Sequence, residues 1–170
     1  MILLGLGSNL DSSFGDRFQN IDLALTYLKI KNIEIVKKSS FYETPAYPNK
    51  QDPKFINIVI HVKTSLGPTD LASIIISIEE ILERKRNKKN DPRTCDIDII
   101  DFNNKVFDFK LNDLDFYVPH AKLIYRNFVL YPLKEVSPYW KHPKNGKLID
   151  DLINNLKMED KKSILKIDKS

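Results

Sequence analysis

Asp96 and Asp98 stand one residue apart in the segment Asp91-Pro92-Arg93-Thr94-Cys95-Asp96-Ile97-Asp98-Ile99-Ile100. On a strand their side chains project from one face, while Cys95, Ile97 and Ile99 project from the other. Two carboxylates converging beside a core repel each other and resist desolvation, so a divalent cation or a group of bases must compensate them. All-oxygen ligation completed by waters and phosphate oxygens suits magnesium, not zinc. On an exposed sheet face the same acids would only be solvated; the apolar flanks argue instead for a central strand. Just upstream lie six cations, Arg84, Lys85, Arg86, Lys88, Lys89 and Arg93. Lys88 and Lys89 read as a solvated run. Arg84, Arg86 and Arg93 differ in kind, because guanidinium forks grip phosphate oxygens in pairs. Metal-binding acids beside such arginines describe a nucleoside triphosphate site.

No phosphate loop accompanies them. Gly5-Leu6-Gly7-Ser8-Asn9 lacks the Gly-Lys-Ser/Thr ending and the third glycine of a dinucleotide fingerprint. Gly5 and Gly7 read as a tight exit from a strand. Phosphates must then be held by metal and side chains. His120, in Val118-Pro119-His120-Ala121, and Arg126, six residues on, are candidates for that contact; His61 and His142 have nothing beside them that promotes a role. Phe55 and Asn57 pair an aromatic ring with an amide on one strand face, a set able to sandwich a flat heterocycle and read its hydrogen-bonding edge; packing of a half-covered sheet is the plainer reading, as helix packing is for Phe128.

The elements that must position these groups are legible in the pattern. Met1 to Gly7 reads as a first strand. Asp11-Ser12-Ser13 offers capping oxygens to a helix whose apolar stripe is Phe14, Phe18, Ile21, Leu25 and Leu28. Ile33 to Tyr42 reads as a strand and Thr44 to Pro53, with three prolines, as an exposed loop. Phe55 to Thr64 alternates strictly. Gly67-Pro68 opens a second helix with Leu71, Ile74, Ile75, Ile78, Ile81 and Leu82 inward, and Arg84-Lys85-Arg86 is expected in its last turn, where the helix dipole favours cations. Thr94 to Phe102 is a strand that turns at Asn103-Asn104 into a partner at Lys105 to Phe107. Strand, helix, strand, strand, helix, strand is the order of a ferredoxin-like α+β βαββαβ sandwich, extended by a C-terminal hairpin and short helices at Phe128 to Val136 and Leu148 to Leu156. One domain over 1–157 is expected, followed by a Lys-rich tail, 158–170, that docks loosely through Ile164, Leu165 and Ile167.

Composition bounds the class. The chain has 170 residues, 42% hydrophobic and 29% charged, with a net charge of +4. That suits one globular domain and excludes disorder, and the charge is too mild to announce a nucleic-acid binder. A single cysteine, Cys95, excludes an internal disulfide or a thiolate zinc cluster and fits a reducing cytoplasm. No apolar run approaches the roughly 20 residues of a membrane span.

With these residues in their order, the chain resembles the 6-hydroxymethyl-7,8-dihydropterin pyrophosphokinases of folate biosynthesis. The likeness runs from Gly5-Leu6-Gly7-Ser8-Asn9-Leu10 through Ser40-Phe41-Tyr42-Glu43-Thr44-Pro45, Phe55-Ile56-Asn57, Pro92-Arg93-Thr94-Cys95-Asp96-Ile97-Asp98 and Val118-Pro119-His120 to Arg126-Asn127-Phe128-Val129-Leu130-Tyr131-Pro132-Leu133. It covers nearly everything except the tail. It implies transfer of pyrophosphate from ATP to the pterin hydroxymethyl group, giving AMP without a covalent intermediate. Asp96 and Asp98 would hold two magnesium ions and, with Arg84 and Arg93, form the catalytic set. Arg84, Arg86, Arg93, Ile99, His120 and Arg126 would bind ATP. Thr44, Pro45, Tyr47, Phe55, Asn57 and Phe128 would line the pterin site, the first three partly through backbone, with Glu79 in support. The chain departs from the family where Lys89-Asn90-Asp91 replaces a segment that usually holds Trp, the aromatic lid of a flexible loop. Phe55 replaces a common Tyr, Ala121 follows His120 where Tyr is frequent, and Asp115 falls near a position often basic. The resemblance implies a cytoplasmic enzyme of small molecules, acting as a monomer without nucleic acid or membrane. Two other readings stay open: an RNA-binding module on the same sandwich, against which the paired acids argue, and a pterin or nucleotide binder without turnover.

Overall fold

The computed structural model describes residues 1–168; of the Lys-rich closing stretch, residues 169 and 170 lie outside the described residues. The chain runs β1 (Ile2–Ser8), α1 (Arg17–Ile30), β2 (Glu34–Lys38), β3 (Phe41–Thr44), β4 (Phe55–Lys63), α2 (Pro68–Ile81) and β5 (Asp96–Phe102). Then follow β6 (Phe107–Leu111), β7 (Leu114–Val118), a 3-10 turn at Leu123–Tyr125, α3 (Asn127–Val136), α4 (Ile149–Asn154), α5 (Met158–Lys162) and β8 (Leu165–Ile167). The main sheet is ordered β5-β1-β4-β3-β8, with β2 also on β4. Counting β2 and β3 as one interrupted strand, this is the ferredoxin-like order.

Both faces of the sheet are covered. Leu4, Leu6, Ile58 and Ile60 pack with Ile21 and Leu28 of α1 and Ile75 and Ile78 of α2. On the opposite face Leu3, Val59 and Ile100 pack with Leu130 and Leu133 of α3 and Ile149 and Leu152 of α4. Each fully buried Leu or Ile contributes roughly 1.5–3 kcal/mol, so these two layers, not the polar residues at the strand ends, carry the fold. Burial pushes the thiol of Cys95 up, and it packs as an inert core residue.

Several expected boundaries move for identifiable reasons. Helix α1 is capped by Asp16, whose carboxylate accepts from Gln19 N at 2.9 Å while Gln19 Oε1 accepts from Asp16 N at 2.8 Å, a reciprocal capping box. Asp11-Ser12-Ser13 does not cap it; Ser12 closes a turn with Gly15 instead, leaving Phe14 exposed ahead of the helix. The expected strand at Ile33 to Tyr42 is broken at Ser39, whose hydroxyl accepts from Val59 N at 3.0 Å. Helix α2 stops at Leu82, and Glu83 takes a positive φ of 67°, so Arg84-Lys85-Arg86 lies in the following loop and not in a last helical turn. Asn103 and Asn104 do turn the chain, with φ of 55° and 57°. However, β6 then pairs with β7, not with β5. Finally, β5 is an edge strand of the sheet path, not a central one.

The C-terminal end of β5 is fixed from the α3 side. Asp101, buried, accepts from Trp140 Nε1 at 2.7 Å and from Asn104 N at 2.7 Å. Trp140→Phe keeps the ring but leaves that carboxylate short of a partner, which is expected to cost about 1–3 kcal/mol. A urea titration that shows no loss of stability would refute this.

Candidate active site

The site begins with side chains that β1 does not have. Gly7 pairs with Asn57 of β4 on one side and Asp96 of β5 on the other; Gly5 pairs likewise with Val59 and Asp98. Partners in register point to the same face, so Asn57, Gly7 and Asp96 form one row across the sheet. Strands lie about 4.8 Å apart, which sets the Asn57 and Asp96 backbones roughly 10 Å from each other over a bare strand. Gly5 and Gly7 are thus not a strand exit, since both lie inside β1. A Cβ on Gly7 would stand 2.9 Å from Asn57 Oδ1. The glycines leave room between an amide-and-aromatic set and a carboxylate set that neighbouring side chains use: Asn57 and Phe55 lean over Gly7, and Ile100 over Gly5.

On the β4 side, Asn57 is buried and donates through Nδ2 to Thr44 Oγ1 at 3.1 Å. Phe55 and Phe128 are half-buried, and each carries a guanidinium over its ring: Arg93 over Phe55 at 5.2 Å and Arg126 over Phe128 at 5.5 Å. Pro45 adjoins Thr44. Tyr47 stands apart from this set, with its side chain 78% exposed.

On the β5 side, Arg84 Nη1 donates to Asp96 Oδ1 and Glu79 Oε1, both at 2.7 Å. Arg93 Nε lies 3.5 Å from Asp96 Oδ2, and Arg126 Nη1 lies 3.4 Å from Asp98 Oδ2. Burial opposes ionisation of both acids. For Asp96 the guanidinium groups of Arg84 and Arg93 overcome it and hold the carboxyl below the usual range. For Asp98 burial and the charge of Asp96 prevail, and its pKa is pushed up to about 6. Glu79, buried on α2, also pairs with Arg86 Nη2 and accepts from Ile97 N at 2.8 Å. Burial raises its pKa to about 7, against the opposing pull of Arg84.

The free edge of β5 faces a cleft of about 160 Å³ walled by β7. The cleft brings together Arg84, Arg86, Ile99 and His120 beside Asp96 and Asp98; Arg93 and Arg126 reach the same acids from the sheet face. Asp115, too, lines this cleft. His120 accepts from Lys122 N through Nδ1 at 3.0 Å, which leaves Nε2 as the ring's donor. Burial, then Arg126 and Lys122, lowers its pKa to about 4. A larger, shallow depression of about 500 Å³ behind the 45–54 loop is lined by Asn9, Arg17, Glu43 and Lys54 and holds none of the expected site residues.

One residue that sequence reasoning left without a role is Asn9. Its Oδ1 accepts from Arg93 N at 2.8 Å, and its Nδ2 donates to Pro53 O at 2.9 Å. Asn9 N and Leu10 N both donate to Arg93 O. Buried Asn9 therefore ties the arginine segment to the loop that leads into Phe55. The available signal was an amide directly after a buried strand, a position where an unpaired polar group is costly.

The family model for 7,8-dihydro-6-hydroxymethylpterin-pyrophosphokinase (HPPK) matches residues 3–138. The chain is 39% identical over 142 residues to a 2-amino-4-hydroxy-6-hydroxymethyldihydropteridine pyrophosphokinase of Aquifex aeolicus, covering 84% of this chain and 83% of the relative. It is 34% identical over 155 residues to the protein of the same name from Synechocystis, covering 91% and 75%. Among solved structures, Plasmodium falciparum HPPK-DHPS superposes with a TM-score of 0.71 at 18% identity, over 90% of this chain and 44% of that longer one. That last likeness bears on the fold alone.

Gly7→Ala is expected to displace the Asn57 side chain and weaken binding of a flat heterocycle at least about tenfold, with the fold kept. Alanine is otherwise preferred to glycine in a strand by roughly 0.5–1 kcal/mol. An Asn57 side-chain amide resonance that does not move would overturn the steric account. In the ligand-free protein, a titration of His120 followed by NMR should show a neutral ring from about pH 8 down to about pH 5.

Proposed function

We infer the reaction from kinship and geometry together: the chain belongs to the 7,8-dihydro-6-hydroxymethylpterin-pyrophosphokinase family, and its two half-sites face each other across a bare strand. It transfers pyrophosphate from ATP to the hydroxymethyl group of 6-hydroxymethyl-7,8-dihydropterin, in folate biosynthesis. The observation that carries this reading is the row Asn57, Gly7, Asp96. It supports a heterocycle read at one end by an amide with its hydroxyl arm laid toward the carboxylates.

Thr44, Pro45, Phe55, Asn57 and Phe128 hold the pterin, Tyr47 contributing through its backbone. Asn57 presents Oδ1 to the ring's donors, its Nδ2 being engaged with Thr44. Ile97 gives its outward N–H to Glu79; two residues on, Ile99 directs its own N–H and C=O to the same free edge, where an adenine ring finds both. His120, neutral, offers an Nε2–H to a phosphate oxygen, and Arg84, Arg86, Arg93 and Arg126 offset phosphate charge. Arg93 and Arg126 lie over the two phenyl rings, so each can serve both half-sites. The pterin hydroxyl oxygen forms its bond to the β-phosphorus as that phosphorus releases the oxygen of AMP, and the hydroxyl proton is released to water. Holding both substrates on one rigid face supplies proximity and orientation.

The acids fit magnesium. They are all-oxygen donors, and the raised pKa of Asp98 marks a carboxylate whose charge the arginines do not fully offset. Among the described residues no group of three or more His, Cys, Asp or Glu is gathered for a metal; Asp96 and Asp98 would hold it, and phosphate oxygens and waters would supply the remaining ligands. When bound, magnesium neutralises triphosphate charge and polarises the phosphorus under attack. One chain carries every group named here, which supports a monomer as the acting unit. Among the described residues no helix is long and apolar enough to cross a membrane, and the lone reduced thiol suits a cytoplasmic setting.

The test is AMP formation from ATP that depends on both magnesium and hydroxymethyl-dihydropterin. Binding of either ligand without AMP leaves only a binding protein. Asp96→Ala and Asp98→Ala are each expected to lower kcat at least about 100-fold with little change in thermal stability; activity retained in either removes the metal assignment. Arg93→Ala should slow turnover far more than it lowers the melting point, and the reverse pattern would assign Arg93 to structure.

A further inference from the structure

We propose that residues 159–167 are a positioning strap for the pterin half of the site, a role that rests on the pterin assignment above. The strap touches three separate parts of that half. β8 pairs antiparallel with β3, setting Leu165 against Glu43, Lys166 against Tyr42 and Ile167 against Phe41. It thus covers the edge of β3 up to the residue before Thr44. Glu159 receives Lys50 Nζ at 2.6 Å, across a sequence separation of 109 residues, which pins the 45–54 loop that carries Pro45 and Tyr47. Asn127 Nδ2 donates to Asp160 O at 2.7 Å and to Ser163 Oγ at 3.2 Å, which fixes the residue directly before Phe128. Asn127 is buried, and its Oδ1 accepts from Phe128 N at 2.7 Å. Lys166 Nζ lies 3.7 Å from Glu135 Oε2, and the other groups on that carboxylate are the Ser40 N–H and hydroxyl and the Tyr42 hydroxyl.

None of these strap residues bonds to Arg84, Arg93 or His120, and Arg126 is linked to the strap only through the backbone it shares with Asn127. Their effect therefore falls chiefly on one substrate. A loop and an aromatic ring held in place before the ligand arrives spare the complex the ordering cost, so the strap appears in pterin affinity and not in the chemical step. The strap also lies beyond residue 138, where the family match ends.

The test compares the full chain with a chain stopped after Leu156, and adds two full-length charge reversals, Lys50→Glu and Glu159→Lys, with their combination. Truncation is expected to raise the pterin KM at least about 5-fold while kcat and the ATP KM stay within about 2-fold, the signature of lost ground-state positioning. Amide exchange over residues 45–54 should accelerate. Each reversal should raise the pterin KM about 2-fold, as suits an exposed pair, and the combination should restore it. An unchanged pterin KM and unchanged exchange in the truncated chain would overturn the proposal, as would equal losses for both substrates. Should the truncated chain not fold, the reversals decide: rescue by the combination upholds the strap, and no change in any of the three refutes it. A full chain that forms no AMP defeats the parent reading instead, and exchange over 45–54 then judges the strap separately.

Discussion

Glu79 brings a carboxylate into the seam between α2 and β5, and three donors close on it: the first free N–H of an edge strand and, from the loop that joins helix to strand, the guanidinium groups of Arg84 and Arg86. An acid so enclosed is held there only while these donors remain. In return it satisfies one N–H of the otherwise open edge of β5 and aims Arg84 at Asp96. A helix, a strand and the arginine loop that joins them are thereby locked by a single group. The two acids on β5 inherit different characters from this arrangement, Asp96 fully matched by arginines and Asp98 only partly. That asymmetry leaves Asp98 with more uncompensated charge than Asp96, although both carboxylates stand on the same face.

The same economy governs the opposite flank. Asn9 joins the arginine segment to the loop entering β4, and Asn57 joins β4 to Thr44. Buried Asn9 uses its acceptor and its donor on two segments that are distant in sequence, whereas buried Asn57 uses only its donor, on Thr44. Loops that look unsupported along the chain are in this way referred back to the sheet. The distance between the two half-sites is then set by strand spacing, which does not vary with side-chain motion.

What the sequence disclosed and what it concealed follow from range. The Asp-x-Asp pair was legible because period two is a local property of a strand, and α2 and α3 because their apolar stripes are continuous. The capping box Asp16 to Gln19 was equally local, yet the spacing of Phe14 and Phe18 drew the helix start too early. Arg84 to Arg86 looked like a helix end until Glu83 turned the chain at positive φ. The open β5 edge and the role of Asn9 are set by partners tens of residues away, and no window of sequence contains them; the β6–β7 hairpin, closed at Asn112 and Asp113 with φ of 49° and 60°, was by contrast a local signal, overshadowed by the turn at Asn103-Asn104. Gly5 and Gly7 are the clearest instance. Two glycines in a strand say only that something is missing; register with β4 and β5 tells what the gap is for.

A floor made by the absence of side chains has no rotamers. Leu4 and Leu6, on the other face of β1, are locked in the core, so the backbone strip is fixed, and only the side chains that lean over it, Asn57, Phe55 and Ile100, can shift. Tolerance for ligands of another shape then resides in those three side chains and in the borders, the 45–54 loop and the arginine segment, while the strand beneath them stays unchanged.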